Sequence, residues 1–252
     1  MFVDIHSHII PGIDDGAADM AEALEMLKLA ANDWTRYIVA TPHFTPAAVR
    51  QGGATIGING VRNTSSLIRA KTEELTAQAV SKNIDIKLRP GVEVLISPDV
   101  PELLESGDIC SLNGSRYLLV EFPMTIIPSY TSDILYKIQL FGLTPIIAHP
   151  ERHSEVIKDM SLIGDLVDRG MLLQVNAGSL TGLFGRKIQK LAFKLIKSGL
   201  VHFVASDAHS CGGRSPELGI AAGMVEKKFG REVMQNIFYS NGLAVLEDKK
   251  IL

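Results

Sequence analysis

Seven short runs of apolar residues recur along the chain, and most of them are nearly continuous in Val, Ile, Leu and aromatic side chains. Strands that are buried on both faces of a parallel sheet have this pattern, whereas half-exposed strands alternate apolar and polar residues. We therefore predict seven buried parallel strands, at Phe2–Ile5, Tyr37–Ala40, Ile84–Leu88 with an extension to Val92, Tyr117–Val120, Pro145–Ala148, Met171–Val175 and Val201–Ala205.

Segments with helical periodicity separate these runs. In Ala18–Ala31 apolar residues recur at every third or fourth position, and Asp19 is suited to cap the N-terminus of a helix. Similar patterns predict helices at Val61–Lys82, Tyr130–Phe141, Glu155–Arg169, Lys187–Ser198 and Pro216–Phe229. A glycine follows three of the predicted helices, as is common at helix C-termini: Gly142, Gly170 and Gly199.

Strands that alternate with helices predict a parallel α/β architecture. We expect a distorted seven-stranded (β/α) barrel, similar to a TIM barrel, and keep an open doubly wound sheet as the alternative. The first strand is not followed by Gly-x-Gly-x-x-Gly, which disfavours a dinucleotide-binding site. The 252 residues suit one domain spanning residues 1–252. The stretch Phe44–Asn59, rich in Pro and Gly, is predicted to be a mobile loop after the second strand, either one that shapes a substrate entrance or an insertion without a role.

Composition and cysteine usage narrow the class of protein. With 25 basic and 28 acidic residues, no basic surface for nucleic acid is expected. Cys110 and Cys211 form no Cys-x-x-Cys pair, and we find no signal peptide or membrane span, so a cytoplasmic protein is expected. Cys110 and Arg116 match the Cys-x5-Arg pattern of cysteine-based phosphatases. That loop precedes a predicted strand instead of following one, so we reject a thiol nucleophile.

Ionisable residues lie at or just after the C-terminal ends of six of the seven predicted strands. On an α/β barrel these ends meet on one face, which carries the chemistry. Burying so many charges together without metal ions would be very costly. The sequence therefore predicts a metal site built from five imidazoles and four carboxylates: His6, His8, Asp15, His43, Glu93, Glu121, His149, Asp207 and His209.

The number and type of these residues indicate which metals they hold. One ion cannot use nine ligands, so two or three divalent or trivalent ions are expected, with manganese as the first choice and iron or zinc as alternatives. Asp14 is adjacent to Asp15 and is an alternative ligand. Arg152 and Arg214 follow ligand positions closely, and a guanidinium can grip phosphate through two parallel hydrogen bonds.

The motifs resemble those of the PHP (polymerase and histidinol phosphatase) superfamily. They are HSH ending at His8, TPH ending at His43, GVE ending at Glu93, HPER ending at Arg152 and SDAH ending at His209. The longer strings HSHIIPGIDDGA and LVEF, with Arg214 after SDAH, resemble one branch, the PHP-type tyrosine-protein phosphatases of bacterial capsule and exopolysaccharide loci (CpsB, CapC and YwqE type). The resemblance covers nearly the whole chain.

The resemblance implies a metal arrangement, a substrate and a mechanism. The first ion would be held by His6, His8, Glu93 and Asp207, the second by Glu93, Glu121 and His149, and the third by Asp15, His43 and His209. Arg152 and Arg214 would bind the phosphate, a metal-bridging hydroxide would attack phosphorus, and Asp207 and His209 would handle protons. The implied substrate is phosphotyrosine in the tail of a membrane-associated tyrosine autokinase that controls polysaccharide synthesis; a homo-oligomer is left open.

Two positions depart from the family pattern, and three other functions are kept as alternatives. His153 stands where the family often has Tyr, and Phe44 where a second His is frequent. Both border the entrance and bear on substrate preference. The alternatives are a phosphatase of histidinol phosphate or another small phosphomonoester, a nuclease of the same superfamily, and a non-catalytic metal-binding regulatory module.

Overall fold

The protein is an α/β fold whose paired strands are all parallel, in a computed structural model that describes residues 1–46 and 63–251. Residues 47–59 of the predicted loop lie outside the described residues. Within the described ranges the strands are β1 (Phe2–Ser7), β2 (Thr35–Ala40), β3 (His43–Phe44), β4 (Lys87–Pro90), β5 (Glu93–Leu95), β6 (Tyr117–Glu121), β7 (Thr144–Ala148), β8 (Leu172–Asn176) and β9 (Phe203–Ala205).

The strands form two sheets, ordered β1-β2-β4 and β3-β5-β6-β7-β8-β9. Only Thr41 and Pro42 separate β2 from β3, and only Gly91 and Val92 separate β4 from β5. After two of the seven predicted strands the chain therefore continues, past a break of two residues, as a second short strand, and it passes there from the first sheet into the second. A Cβ on Gly91 would lie 2.7 Å from Cγ1 of Val39, so this break depends on the absence of a side chain.

The two sheets also meet where the end of β1 contacts the segment that follows β9. Ser7 and Ala208 form a parallel bridge. The backbone N–H of Asp207 donates to the carbonyl of His6 at 2.8 Å, and the N–H of His8 donates to the carbonyl of Ala208 at 2.9 Å. These contacts, together with the two broken strands, give the distorted seven-stranded arrangement that the sequence predicts.

Helices cover the strands, and several of their predicted ends are confirmed. Asp19 caps the first helix, because its carboxylate accepts the backbone N–H of Glu22 at 2.9 Å. Gly142, Gly170 and Gly199 have φ of 76°, 87° and 71°, the left-handed conformation of a helix C-terminus. The helices in the described ranges are α1 (Met20–Asn32), α2 (Ser65–Ser81), α3 (Val100–Glu105), α4 (Thr131–Leu140), α5 (Ser154–Lys158), α6 (Ser161–Asp168), α7 (Ala177–Thr181), α8 (Arg186–Lys197), α9 (Gly219–Phe229), α10 (Arg231–Gln235) and α11 (Asn241–Leu246).

Some helix predictions were wrong. The predicted helix Glu155–Arg169 is two helices, because the extended Asp159 (φ −139°) interrupts it and its carboxylate accepts the backbone N–H of Ser161 at 2.9 Å. The last long helix begins at Gly219 and not at Pro216, since Asp33 accepts the N–H groups of Leu218 and Gly219. The short helices α3, α7, α10 and α11 were not predicted. None of the described helices has the length and apolar character needed to cross a bilayer.

Successive side chains of a strand alternate between its two faces, and only one of these faces leads to the metal centre. On β6, Leu118 and Val120 join the large hydrophobic cluster that includes the helices. Tyr117 and Leu119 belong to a second, smaller cluster. Because side chains two residues apart share a face, Glu121 continues the row of Tyr117 and Leu119 and reaches the end of the strand on that side. The fold thus presents ionisable residues at the end of an otherwise apolar row.

Alanine substitutions at two glycines would test how the C-terminal helices pack on the strands. In α11, a Cβ on Gly242 would lie 2.8 Å from Val3 of β1, whereas a Cβ on Gly223 in α9 has no heavy atom within 4 Å. We expect Gly242→Ala to lower the free energy of unfolding by about 1–3 kcal/mol through overpacking. Gly223→Ala should raise it by about 0.5–1 kcal/mol, because Ala loses less backbone entropy in a helix. Urea unfolding of both variants measures this, and equal effects would contradict the packing of α11 on β1.

Candidate metal centre

The first group of donor atoms gathers the residues predicted to hold the first ion. His6 Nε2 lies 3.1 Å from His8 Nε2. Both of these nitrogens lie 3.3 Å from Glu93 Oε2 and 3.4 Å from Asp207 Oδ1. Ligands about 2.0–2.1 Å from one ion are about 3.0–3.4 Å apart in octahedral or tetrahedral geometry. The four side chains therefore have the spacing of ligands to a single ion.

A second group shares the Glu93 carboxylate with the first. Glu93 Oε1 lies 3.0 Å from His149 Nε2, which is 3.7 Å from Glu121 Oε1. His43 Nδ1 lies 3.0 Å from Glu93 Oε2 and 3.8 Å from Glu121 Oε2. Because its two oxygens face different imidazoles, Glu93 is placed to bridge two ions.

A third group lies at the outer edge of the cluster. Asp15 Oδ1 is 3.4 Å from both His43 Nε2 and His209 Nε2, and donor atoms of His8 lie close enough to belong to the same group. Asp14, the alternative ligand, instead accepts a hydrogen bond from His8 Nδ1 at 2.7 Å and from the backbone N–H of His43 at 3.0 Å. The geometry thus favours Asp15 as the ligand and gives Asp14 the task of orienting His8.

The unpartnered atoms of the cluster fit metal ions. Within the described residues, Glu93 Oε2 and His209 Nε2 are buried and make no hydrogen bond of good geometry, although imidazole or carboxylate atoms lie 3.0–3.4 Å away. Buried polar atoms without a partner are rare and costly. The donors are all imidazole nitrogens and carboxylate oxygens, which suit first-row divalent ions. The structure brings together all nine residues chosen from the sequence, namely His6, His8, Asp15, His43, Glu93, Glu121, His149, Asp207 and His209.

The carboxylates at the centre of the cluster are held in their charged form. Burial alone would raise the pKa of Glu93, but the charges of His6 and His43 hold that pKa well below its ordinary value. The pKa of Asp207 is likewise well below its ordinary value, because His6 and His8 outweigh the effect of burial. Two buried, ionised carboxylates side by side are a strong attraction for cations.

The outer residues of the cluster respond differently to burial. Burial and the neighbouring charge of Glu93 raise the pKa of Glu121. Burial would lower the pKa of His8, but Asp14 raises it well above its ordinary value. Burial lowers the pKa of His209, so its imidazole is the one in this cluster best suited to stay neutral.

Strand β8 carries no predicted ligand, yet it orients two of them. Gln174 Oε1, which can only accept, lies 2.8 Å from His6 Nδ1, so the lone pair of neutral His6 is on Nε2 and faces the cluster. Gln174 Nε2 donates to Asn176 Oδ1 at 2.8 Å, and Asn176 Nδ2 donates to Asp207 Oδ2 at 2.6 Å. Sequence reasoning missed both residues, although two polar residues at alternate positions of an apolar strand were a usable signal.

Two further buried carboxylates support the strand ends. Glu151 Oε1 accepts the backbone N–H of Asn176 at 2.9 Å and the hydroxyl of Ser179 at 2.6 Å. Asp4 accepts the hydroxyl and the backbone N–H of Ser206 at 2.6 and 3.0 Å, and burial raises the pKa of Asp4 to about 6. These contacts fix the segments on which Asn176 and the residues after Ser206 lie.

Two of the cluster residues have a strained backbone. His149 and Asp207 have φ of 32° and 52°, a left-handed conformation that is uncommon for residues other than glycine. The hydrogen bonds from Asp207 and His8 to the opposite strand hold Asp207 in place despite this strain. Residues in such conformations cluster at functional sites. The sequence offers no signal for it, since neither position is a glycine.

Both predicted phosphate-binding arginines lie beside the cluster. Arg152 Nη1 donates to Asp207 Oδ2 at 3.0 Å, and Arg214 Nη2 also contacts Asp207 Oδ2. Arg152 additionally lies over the ring of Phe184, with Cζ 4.4 Å from the ring centroid. One carboxylate oxygen therefore anchors two guanidinium groups on the same side of the cluster. By contrast, Cys110 and Arg116 lie elsewhere, and Arg116 pairs with Asp248.

Known proteins with a similar sequence and structure are tyrosine-protein phosphatases. The protein is similar to YwqE of Bacillus subtilis strain 168, a tyrosine-protein phosphatase, with 37% identity over 232 residues, 92% of this chain and 86% of that protein. It is 30% identical to CpsB of Streptococcus pneumoniae, also a tyrosine-protein phosphatase, over 254 residues, 99% of this chain and all of that protein. A crystal structure from work on these two metal-dependent tyrosine phosphatases superposes with a TM-score of 0.91 and 34% identity, covering 99% of this chain and 96% of the other.

Fold and site together define a metal-dependent hydrolase built on a distorted α/β barrel. The sequence profile of the CpsB/CapC family, described as capsular polysaccharide synthesis, matches residues 2–247. The chain belongs to the CpsB/CapC family, so the family predicted from the motifs is confirmed. A lactonase from Listeria monocytogenes has the same general fold, with a TM-score of 0.58 and 13% identity.

The contacts of Gln174 predict an effect on metal affinity. Without its carbonyl, the Nδ1–H of His6 loses its acceptor and the imidazole loses its fixed tautomer, which typically weakens metal binding about 10–100-fold. We expect Gln174→Ala to bind Mn²⁺ more weakly by that factor. Gln139→Ala is the matched control, because Gln139 donates only to the backbone of Arg169 on the surface. Calorimetric titration measures both, and equal affinities would contradict the role of Gln174.

The charge state of the imidazoles predicts that metal binding depends on pH. Burial would lower the pKa of His149, but its hydrogen bond to Glu93 and the nearby carboxylates raise that pKa to about 9. An incoming ion must displace this proton, so metal affinity should rise between about pH 6.5 and about pH 9, with protons released on binding. Mn²⁺ titrations in buffers of different ionisation enthalpy measure the released protons. An affinity that stays constant over this range would contradict the account.

Proposed function

We propose that this chain is a metal-dependent tyrosine-protein phosphatase that acts on phosphotyrosine in the tail of a membrane-associated tyrosine autokinase, in capsular or extracellular polysaccharide synthesis. The enzyme class, predicted from the sequence, is confirmed by the family and by the relatives named above. The observation that carries the chemical proposal is the bridging position of Glu93, with both arginines beside the same cluster. The kinase tail, a homo-oligomeric state and a cytoplasmic location stay predictions.

The donor groups support two or three ions, with manganese as the first choice and iron or zinc as alternatives. We assign the first ion to His6, His8, Glu93 and Asp207, the second to Glu93, Glu121 and His149, and the third to Asp15, His43 and His209. When bound, such ions would lower the pKa of water and act as Lewis acids toward the phosphoryl group. The lack of any thiolate donor in these groups is consistent with manganese and does not resemble a structural zinc site.

The arginines orient the phosphoryl group. A guanidinium has five N–H donors, and the Asp207 carboxylate engages only part of them. The remaining donors of Arg152 and Arg214 can hold equatorial phosphate oxygens and stabilise their charge as the bond to the leaving group breaks. Asp207 Oδ2 contacts the guanidinium groups of both arginines, and Oδ1 of the same carboxylate faces His6 and His8. A phosphate held by the arginines would therefore have a fixed position relative to these two imidazoles.

Proton handling by Asp207 and His209 stays a prediction, because Nε2 of His209 is also the donor atom assigned to the third ion. Its Nδ1 lies 2.9 Å from the backbone carbonyl of Asp207, which can only accept, so the lone pair of neutral His209 is on Nε2. The low pKa of Asp207 makes that carboxylate a weak base, and we give it the tasks of binding metal and anchoring the arginines. A phenolate has a pKa near about 10 and leaves with little help from a general acid, unlike an alkoxide.

Substrate turnover by the Mn²⁺-loaded enzyme tests this proposal. A phosphotyrosine peptide, histidinol phosphate and a short DNA are offered in parallel, each with and without a chelator. We expect phosphate release from the peptide that the chelator abolishes, and no turnover by His6→Ala with a native circular dichroism spectrum. Preference for histidinol phosphate would discard the substrate assignment, and turnover that is insensitive to the chelator would discard the metal mechanism.

A further inference from the structure

A small cavity adjoins the cluster at the C-terminal ends of β8 and β9. It has a volume of about 160 Å³ and lies between α7 and the segment from Gly213 to Ile220. Arg214 is one of its walls and also contacts Asp207, so the cavity begins at the phosphate-binding arginine. Within the described residues, Arg214 Nε is buried without a hydrogen-bond partner. The cavity and the proposed phosphate site therefore share one side chain.

Apolar side chains form one side of this cavity. Phe184 is held in place by the guanidinium of Arg152 on its ring and by close contact with α7. A Cβ on Gly178 would lie 3.2 Å from Phe184 Cε2 and 3.0 Å from Leu183 Cδ2, so glycine is needed for both side chains to pack there. At the mouth, Leu183 and Ile220 are 49% and 71% exposed and are free to contact a ligand.

The hydroxyl groups of the lining already have partners. The hydroxyl of Thr181 donates to the backbone carbonyl of Gly178 at 3.2 Å, and that of Ser215 donates to the carboxylate of Glu217 at 3.0 Å. The hydroxyl of Ser206 donates to the carboxylate of Asp4 at 2.6 Å. An apolar ligand group can therefore enter without leaving these hydroxyls unsatisfied, which would otherwise oppose its binding.

We propose that this cavity binds the phenyl ring of the phosphotyrosyl substrate, with Phe184 and Ile220 as its apolar walls and Arg214 joining it to the phosphate site. The proposal rests on the proposed function. The volume of about 160 Å³ suits one phenyl ring, since a cavity of about 150 Å³ can hold benzene, although polar residues share the lining with the apolar ones. In phosphotyrosine a single oxygen joins the ring to phosphorus, so the ring site must adjoin the phosphate site. An aliphatic phosphate ester would leave the cavity unfilled, and the enzyme selects the aryl ester by this difference.

Three variants separate ring binding from phosphate binding. Phe184→Leu removes the aromatic wall, and Ile220→Ala removes a second apolar contact at a position that is 71% exposed. Phe141→Leu is the matched control. Phe141 is half-exposed and follows the last residue of α4, just before β7 begins, so it lies at the N-terminal ends of the strands, away from the metal centre. For each Mn²⁺-loaded enzyme, kcat and KM are measured with a phosphotyrosine peptide, and inorganic phosphate is titrated as a competitive inhibitor.

We expect KM for the peptide to rise about three- to tenfold in Phe184→Leu, the value of one aromatic pair, with a smaller rise in Ile220→Ala. The kcat and the inhibition constant of phosphate should change less than about twofold. The lost contact binds the ring equally in the ground state and the transition state, so the chemical step is unaffected. An unchanged KM in both variants would overturn the proposal. So would a parallel loss of phosphate affinity, which would mean that Phe184 only positions Arg152. Turnover of the peptide by the wild-type enzyme separately tests the proposed function.

Discussion

The carboxylate of Glu93 is fully buried and lies 3.0–3.3 Å from imidazole nitrogens of His6, His8, His43 and His149. A buried charge is tolerated only when opposite charges or metal ions compensate it. The pKa of Glu93 stays low because these imidazoles outweigh burial. Such a cluster is poised to exchange protons on its imidazoles for metal ions, and several other features of the site deliver a residue to Glu93 or orient one that is already there.

The irregularities of the barrel place ligand residues in the metal centre. The break at Gly91 and Val92 ends β4 and begins β5 at Glu93, while the break at Thr41 and Pro42 begins β3 at His43. These two new strands pair directly, so His43 and Glu93 are register partners. At the other side of the cluster, the left-handed backbones of His149 and Asp207 turn the chain at the ends of β7 and β9. Strain at these positions is compensated by the hydrogen bonds that join Asp207 to β1.

The sequence predicts the strands, and it predicts which ionisable residues the structure brings together, because most of the buried strands are nearly continuous in apolar residues and six of the seven end in an ionisable one. It does not predict the strand breaks, since the need for glycine at position 91 arises from contacts with Val39 and Leu112, which are distant in sequence. It also misses Gln174 and Asn176, because their role depends on a neighbour in space. The choice between Asp14 and Asp15 requires knowing where His8 points. The single helix predicted over Glu155–Arg169 was wrong, because Asp159 is extended and its carboxylate accepts the backbone N–H of Ser161, where the second helix begins.

The central claim is that the nine donor residues hold a cluster of ions joined by Glu93. Anomalous diffraction from crystals soaked in Mn²⁺, recorded at the manganese absorption edge, tests it most directly. The account predicts two or three anomalous peaks, with one between His6, His8, Glu93 and Asp207 and another on the opposite side of the Glu93 carboxylate. A single peak away from Glu93, or none in crystals whose protein still hydrolyses the phosphotyrosine peptide, would contradict it.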